Sequence, residues 1–173
     1  MTTPLKARFK HVGIYVRDLP AMADFYTRWF GLTQTDGGIG SSGKGAFFSS
    51  DPEEHHQIVM VVGRDAASPP TINQLSFLVD DLATLKAYWR KALAEDVPIS
   101  MVKSHGNALS IYVRDPEGNQ CEIYCHTPWY VRQPAGKPMD LNLPDAEILA
   151  QVEREVRADP SFMLREAWMA QVR

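Results

Sequence analysis

Three polar residues stand where strand periodicity would aim them at a common point. In the segment from Phe9 to Tyr26, FKHVGIYVRDLPAMADFY, apolar residues recur with period two, so His11, Gly13 and Tyr15 share one face of a strand. Near residue 122, in NQCEIYC, Glu122 and Tyr124 share a face opposite Cys121 and Cys125. Gln74 takes the place of His11 in a second copy of the first segment. An imidazole, an amide oxygen and a carboxylate form a donor set for a hard-to-borderline divalent ion such as Fe(II), Mn(II) or Mg(II), with positions left open for substrate and water. A carboxylate in an apolar wall calls for such a partner, because burying it alone is costly. The plainer reading pairs Glu122 with an arginine such as Arg114 and makes His11 an ordinary core histidine. The coincidence of the three residues at repeat-equivalent strand positions favours the ligand set.

The elements that must position these residues follow from an internal repeat. Phe9 to Tyr26 lies without a gap on INQLSFLVDDLATLKAYW, Ile72 to Trp89. The alternating apolar positions match, as do Asp18-Leu19 with Asp81-Leu82 and the closing aromatics. Each copy begins as a half-buried strand and passes an Asp into an amphipathic helix of about three turns. The later parts, AFFSSDPEEHHQIVMVVG and LSIYVRDPEGNQCEIYC, both read as strand, Asp-Pro turn, strand, with turns at Asp51-Pro52 and Asp115-Pro116. A further short strand is expected near Thr33 and near Ile99 to Lys103.

The expected fold class is therefore α+β: two tandem βαβββ modules, about 7–63 and 71–126, forming one open, cup-shaped mixed sheet around a metal site within a domain spanning 1–126. A single βαβββ unit cannot close a core alone, so the copies are expected to pair and enclose a cavity. Residues 37–45 are rich in Gly and Ser and read as a flexible loop, and 65–70 as the linker between copies. From Thr127 to residue 173 the pattern changes to a Pro-punctuated arm and helices. One helix begins near Pro144-Asp145, runs through Ile148, Val152 and Val156 and stops by Asp159-Pro160; a shorter one follows from Ser161. Trp129 and Tyr130 are read as either a lid over the site or an anchor for the tail.

Composition sets limits on partners and location. The chain has 173 residues and a formal net charge of -3, with no block of Lys or Arg to track phosphate backbones, so nucleic acid is not an expected partner. No stretch reaches the ~18 consecutive apolar residues of a membrane span, and the N-terminus does not read as a secretory signal. The expectation is a cytoplasmic protein with no membrane partner. Cys121 and Cys125 lie four apart in a strand, where a separation of roughly 13 Å puts a disulfide out of reach. Reduced thiols fit a reducing compartment.

The duplicated modules and their polar positions resemble the vicinal-oxygen-chelate superfamily, which includes glyoxalase I, bleomycin- and fosfomycin-resistance proteins and extradiol ring-cleavage dioxygenases. The resemblance covers roughly Phe9 to Cys125 and excludes the tail. It implies metal ligands at the start of the first strand and in the last strand of each module, which here means His11, Gln74, Glu122 and a fourth position at Ile58 or, with a one-residue slip, Val59. Neither apolar residue can bind a metal. The remaining three-ligand set is similar to the catalytic module of type I extradiol dioxygenases, with Gln74 where those enzymes carry a second histidine. The same resemblance implies that His56 is an acid-base group near bound dioxygen, and that His105 and Tyr112 contact the oxygens of a catecholate. His56 is expected to look into the cavity because it shares a face with Ile58; His55 is expected in solvent and His126 in a structural role.

The function this implies is a metal-dependent, extradiol-type dioxygenase acting on a small aromatic vicinal diol, with Fe(II) as first choice of metal and Mn(II), Mg(II), Ni(II) or Zn(II) as alternatives. Two other readings accompany it: a metal-dependent lyase or isomerase of glyoxalase type, and a metal-free protein that binds and sequesters a small aromatic compound. A homodimer is expected by analogy, since sheets of this kind leave edges that benefit from cover.

Overall fold

The alternation that opens each copy becomes a strand, and the Asp that follows it becomes a helix cap. In the first module β1 (Val12–Val16) leads into α1 (Leu19–Phe30), then β2 (Thr33–Gly37), β3 (Gly45–Ser49) and β4 (Ile58–Val62). A computed structural model describes residues 7–38, 44–70 and 72–172. Residues 39–43 of the Gly- and Ser-rich stretch lie outside the described residues. At the head of α1 the Asp18 carboxylate accepts the Ala21 amide at 3.0 Å, satisfying one of the donors a helix start leaves open. The helix ends at Gly31, whose φ of 66° is left-handed and suits a residue without a Cβ.

The second module repeats the plan with β5 (Leu75–Leu78), α2 (Leu82–Ala94), β6 (Ile99–Ser104), β7 (Ala108–Arg114) and β8 (Gln120–His126). Here Asp81 caps α2, accepting from the Thr84 amide at 2.8 Å. The repeated Asp-Leu pair is thus a repeated helix start. Both hairpin turns hold through their aspartates as well: Asp51 accepts the Glu53 amide at 2.9 Å, and buried Asp115 accepts those of Glu117 and Asn119 at 2.9 and 2.8 Å.

Hydrogen bonding gives each module an open mixed sheet of the same order. The first runs β1-β4-β3-β2, with β1 and β4 parallel; the second runs β5-β8-β7-β6, with β5 and β8 parallel. The chain divides at Pro70/Thr71 into two compact units, one per module. In each sheet one face is the core. Ile14, Val16, Phe48, Ile58 and Met60 are buried with Met22, Tyr26 and Trp29 of α1 in the first; Leu109, Ile111, Val113, Cys121, Ile123 and Cys125 are buried with Leu82 and Leu85 of α2 in the second. Each large side chain removed from water this way contributes about 1.5–3 kcal/mol. The opposite faces carry the polar residues. Both cysteines are free thiols on the core face, and burial first, then the Asp81 charge, pushes Cys125 up to about 11.

The tail packs on the second module. β9 (Trp129–Tyr130) pairs antiparallel with β11 (Met163–Leu164), and β10 (Lys137–Pro138) extends the second sheet by pairing with β6. α3 (Asp145–Arg157) buries Ile148, Val152 and Val156, the stripe expected for it, and α4 (Arg165–Gln171) follows β11. Buried Lys86 of α2 reaches the start of α3, donating to Leu143 O at 2.6 Å and pairing with Asp145 at 2.5 Å. Trp129 is buried and Tyr130 stacks on Trp168 with ring centroids 5.0 Å apart, so of their two expected roles the structure shows the anchoring one. Among the described residues no helix is long and apolar enough to cross a membrane.

The Asp81 cap makes a pH-dependent contribution to stability. The hydrogen bonds from Thr84 hold the Asp81 carboxyl below its usual range. A carboxyl depressed in the folded state stabilises it above the ordinary aspartate value of about 3.9, and that contribution fades as pH falls through the folded value. We expect Asp81→Ala to lower the urea midpoint at neutral pH, with the gap from the parent narrowing below about pH 4. Urea titrations of both proteins between neutral and acid pH check this; a gap that does not change with pH contradicts it.

Candidate functional site

Strand register brings the chemistry of the second module to Glu122. The parallel β5–β8 pair sets Ser76 beside Glu122, and the antiparallel β7–β8 pair sets Tyr112 on its other side. The three side chains therefore line one cross-strand row on the face away from α2. Glu122 is only 8% exposed, yet its carboxylate is well served. The Tyr112 hydroxyl donates to Oε1 at 2.7 Å; Ser76 Oγ and Gln74 Nε2 each donate to Oε2 at 2.7 Å. Gln74 lies two residues before Ser76 on the same face, and its Nε2 also reaches Ser76 Oγ at 3.0 Å.

His105 joins this group from the tight turn between β6 and β7, closed by the His105 amide on Ala108 O at 2.8 Å. Its Nε2 lies 2.8 Å from the Tyr112 hydroxyl and 3.9 Å from Glu122 Oε1, and its Nδ1 lies 2.7 Å from Ala135 O. Burial first, then the hydrogen bond and charge of Glu122, pushes the Tyr112 phenol far above its usual range. Ser110 beside it counters that rise in part, but its buried hydroxyl makes no hydrogen bond of ordinary geometry. Tyr112 thus stays a protonated donor at any physiological pH. Lys103, on the same face, stands over the Tyr112 ring with Nζ 5.3 Å from its centroid.

In the first module the equivalent row is apolar. Gly13 pairs with Val59, and Val59 with Phe47, where the second module has Ser76, Glu122 and Tyr112. This register resolves the fourth ligand position to Val59, since Ile58 points into the core. His11, exposed at the entry to β1, packs on His56 with ring centroids 4.3 Å apart. His56 also meets Phe47 edge-on at 5.1 Å, and its Nδ1 lies 3.0 Å from that of exposed His55, whose Nε2 is 3.7 Å from Asp36. Partial burial first, then the charges of His11 and His55, pushes the His56 imidazole below the ordinary histidine range.

The expectation that His56 follows the face of Ile58 is corrected here. Residues 55–57 precede β4, so strand alternation does not extend to them, and the ring of His56 sits with His11 and Phe47 on the face of Val59 instead. The alternative pairing of Glu122 with Arg114 is not what the structure shows: Tyr112, Ser76 and Gln74 serve the carboxylate, and Arg114 donates to Gly118 O at 3.2 Å. The structure gathers Gln74, His105, Tyr112 and Glu122 in the second module, and His11 with His56 in the first. It adds Ser76 and the Ala135 carbonyl, which the sequence reading did not single out. Ser76 was within reach, as the repeat partner of Gly13 on the face of Gln74; a backbone carbonyl from the tail leaves no mark in sequence.

The donors around Glu122 fit a divalent cation. A carboxylate offers roughly four acceptor positions, of which three are taken here. Because Gln74 turns its Nε2 to Glu122, its Oε1 is left with no hydrogen-bond partner among the described residues. The opposite amide orientation would set two acceptors against each other, so the network itself fixes this one. A carboxylate and an amide oxygen are donor types that suit a hard or borderline ion. Among the described residues no three His, Cys, Asp or Glu side chains gather as a metal cluster.

Comparison with known proteins agrees with this architecture. The chain is 27% identical to biphenyl-2,3-diol 1,2-dioxygenase 2 of Rhodococcus globerulus, covering 77% of each protein. Among solved structures it resembles lactoylglutathione lyase from Agrobacterium tumefaciens (23% identity, 71% of this chain and 96% of that one, TM-score 0.53). It also resembles a genomically encoded fosfomycin resistance protein from Listeria monocytogenes, solved with Mn(II) and sulfate (22% identity, 73% and 93% coverage, TM-score 0.54). At these identities the structural likenesses speak for the fold alone. The model of the glyoxalase/bleomycin resistance protein/dioxygenase superfamily matches residues 8–123, both modules and the whole Glu122 row, and the chain belongs to that superfamily.

Proposed function

We propose that the chain is a metal-dependent dioxygenase of the extradiol type that opens the ring of a small aromatic vicinal diol. The observation that carries this reading is the buried Glu122 carboxylate, held by Gln74, Ser76 and Tyr112 and backed by His105. The likeness to a dioxygenase of an aromatic diol supports it.

In this reading Glu122 is the anionic ligand and Gln74 adds its amide oxygen. A bound divalent ion, with Fe(II) the first choice, supplies Lewis acidity and access to dioxygen chemistry. The protein's own residues do the rest. Tyr112, kept protonated, donates to a diol oxygen or to Glu122 as charge develops there, and His105 receives or returns the proton at the other side of that hydroxyl. We assign His56 as a second acid-base group; its lowered pKa leaves the ring neutral near pH 7 and able to accept a proton. Both atoms of dioxygen enter the ring-opened product, so no external reductant is needed.

One observation favours a second reading. Gln74 offers oxygen where an imidazole would offer nitrogen, which suits Mg(II) or Mn(II) and proton-transfer chemistry of the lyase or isomerase kind. Oxygen consumption separates the two. After anaerobic loading with Fe(II), a panel of catechols should include at least one that is consumed with an equal amount of dioxygen and gives a ring-opened chromophore. Full iron occupancy with no oxygen uptake on any diol counts against the dioxygenase; turnover with Mg(II) or Mn(II) in oxygen-free buffer supports the lyase or isomerase.

The ligand assignment has its own test by calorimetric titration with Mn(II). Glu122→Gln, which keeps the shape and removes the charge, should abolish measurable binding. Tyr112→Phe, which removes a partner that orients the ligand, should cost about 10–100-fold in affinity. Equal affinity in all three proteins would remove Glu122, and the reading with it.

A further inference from the structure

The tail lies beyond the superfamily match, yet it reaches the site through one backbone carbonyl. β10 pairs Lys137 with Ser104 and Pro138 with Lys103, which ties the arm alongside β6 up to the residue before His105. The turn that carries His105 is shaped to receive the arm. Gly106 has φ +79°, and a Cβ there would stand 2.6 Å from Val131 Cγ2 and 3.0 Å from Val156 Cγ1. Thr127 clasps the same turn, its Oγ1 donating to Gly106 O at 2.5 Å.

Between these ties sits Gln133, whose side chain bridges arm and turn. Its Nε2 donates to His105 O at 2.9 Å and to Val131 O at 3.2 Å, and lies 3.4 Å from Asn107 Oδ1; its Oε1 accepts the Ala135 amide at 3.0 Å. The peptide so held delivers Ala135 O to His105 Nδ1 at 2.7 Å. A carbonyl oxygen only accepts, so Nδ1 must carry a proton in this contact. In a neutral imidazole the other nitrogen is then an acceptor. That nitrogen, Nε2, faces the Tyr112 hydroxyl.

We infer that the C-terminal arm sets the tautomer of His105, with Gln133 as the positioning residue: the Ala135 carbonyl holds the Nδ1–H form and keeps Nε2 as an acceptor for Tyr112. Free histidine in water prefers the opposite, Nε2–H, form, so the arm works against the default. The consequence rests on the reading of the site given above. Tyr112 has one hydroxyl proton and two neighbours, Glu122 Oε1 at 2.7 Å and His105 Nε2 at 2.8 Å. With Nε2 kept bare, the hydroxyl has somewhere to send its proton when the carboxylate is occupied elsewhere. With Nε2–H instead, the ring would donate to the Tyr112 oxygen and hold the hydroxyl proton on Glu122, so His105 could give a proton along this chain but not receive one.

The test reads the ring itself, in the full chain without metal or substrate. Protein labelled with 15N at histidine is followed by long-range 1H–15N NMR at the alkaline plateau of His105's own titration, with the resonance assigned through His105→Gln. We expect one nitrogen of the protonated type, at Nδ1, and one of the unprotonated type, at Nε2. Tyr112→Phe should keep this pattern, because the arm imposes it. Gln133→Met, of similar length but without hydrogen bonds, should lose it and give averaged shifts with a growing Nε2–H share, while amide signals of β7 and β8 stay in place. An Nε2–H ring in the parent protein overturns the inference, as does a Gln133→Met protein that keeps the full Nδ1–H pattern. Should Gln133→Met fail to fold, the parent and Tyr112→Phe spectra still decide: loss of Nδ1–H in Tyr112→Phe would give the tautomer to the tyrosine instead. No outcome depends on turnover, so a failed dioxygenase assay and a failed tautomer assignment remain separate results.

Discussion

A carboxylate taken out of water must be given donors, and the second module is arranged around that demand. Glu122 is almost fully buried in an interior strand of its sheet, where an unpaired charge would cost several kcal/mol. Register solves the problem on both sides at once. The parallel neighbour supplies Ser76 and, two residues earlier, Gln74; the antiparallel neighbour supplies Tyr112. A mixed sheet can do this because β8 has one partner of each direction, and a one-residue slip of either would turn those donors to the α2 face. The βαβββ order is what creates such a strand: the helix crossover makes β5 parallel to β8, and the hairpin makes β7 antiparallel to it.

The duplicated module shows the same row without that demand. Gly13, Val59 and Phe47 occupy the places of Ser76, Glu122 and Tyr112, so the first sheet carries no buried charge there and needs no donors. Its polar side chains cluster instead at the strand entry, where His11, His55 and His56 crowd one another and no register rule applies. Burial first, and then the repulsion among crowded imidazoles once charged, pushes His56 below the ordinary histidine range. One backbone plan thus carries two electrostatic solutions, and the difference lies in a handful of side chains on one face.

Much of this was legible in the sequence, for reasons that can be named. Period-two alternation and the repeated Asp-Leu pair specify strands, helix starts and the face of Glu122, because each follows from local backbone geometry. The Asp-Pro turns are read as readily, since the aspartates bond to their own loops. His56 was misplaced because alternation was carried past the start of β4, where the backbone no longer repeats. The partners of Glu122 were only half visible. Tyr112 stands out by its spacing, but Ser76 looks like any polar strand residue until register sets it beside a carboxylate. Least visible is the part played by Ala135, thirty residues from His105 and acting through an atom every residue has.

The substitution at position 74 can be weighed on donor and acceptor count rather than on residue type. A neutral histidine presents one N–H and one bare nitrogen; a glutamine presents an NH2 and a carbonyl oxygen. Gln74 uses its NH2 on Glu122 and leaves the oxygen free, so it keeps the pattern a histidine would offer there, one donor for the carboxylate and one acceptor for a cation. What changes is the acceptor atom. An amide oxygen is harder and less basic than an imidazole nitrogen, so in the proposed reading an ion held there would be one that prefers oxygen. Glu122 feels the change as well, because an amide N–H keeps its proton across the physiological range where an imidazole can lose or gain one. Gln74 therefore removes a titrating group from the carboxylate's immediate partners and leaves proton exchange in this module to the His105–Tyr112 pair.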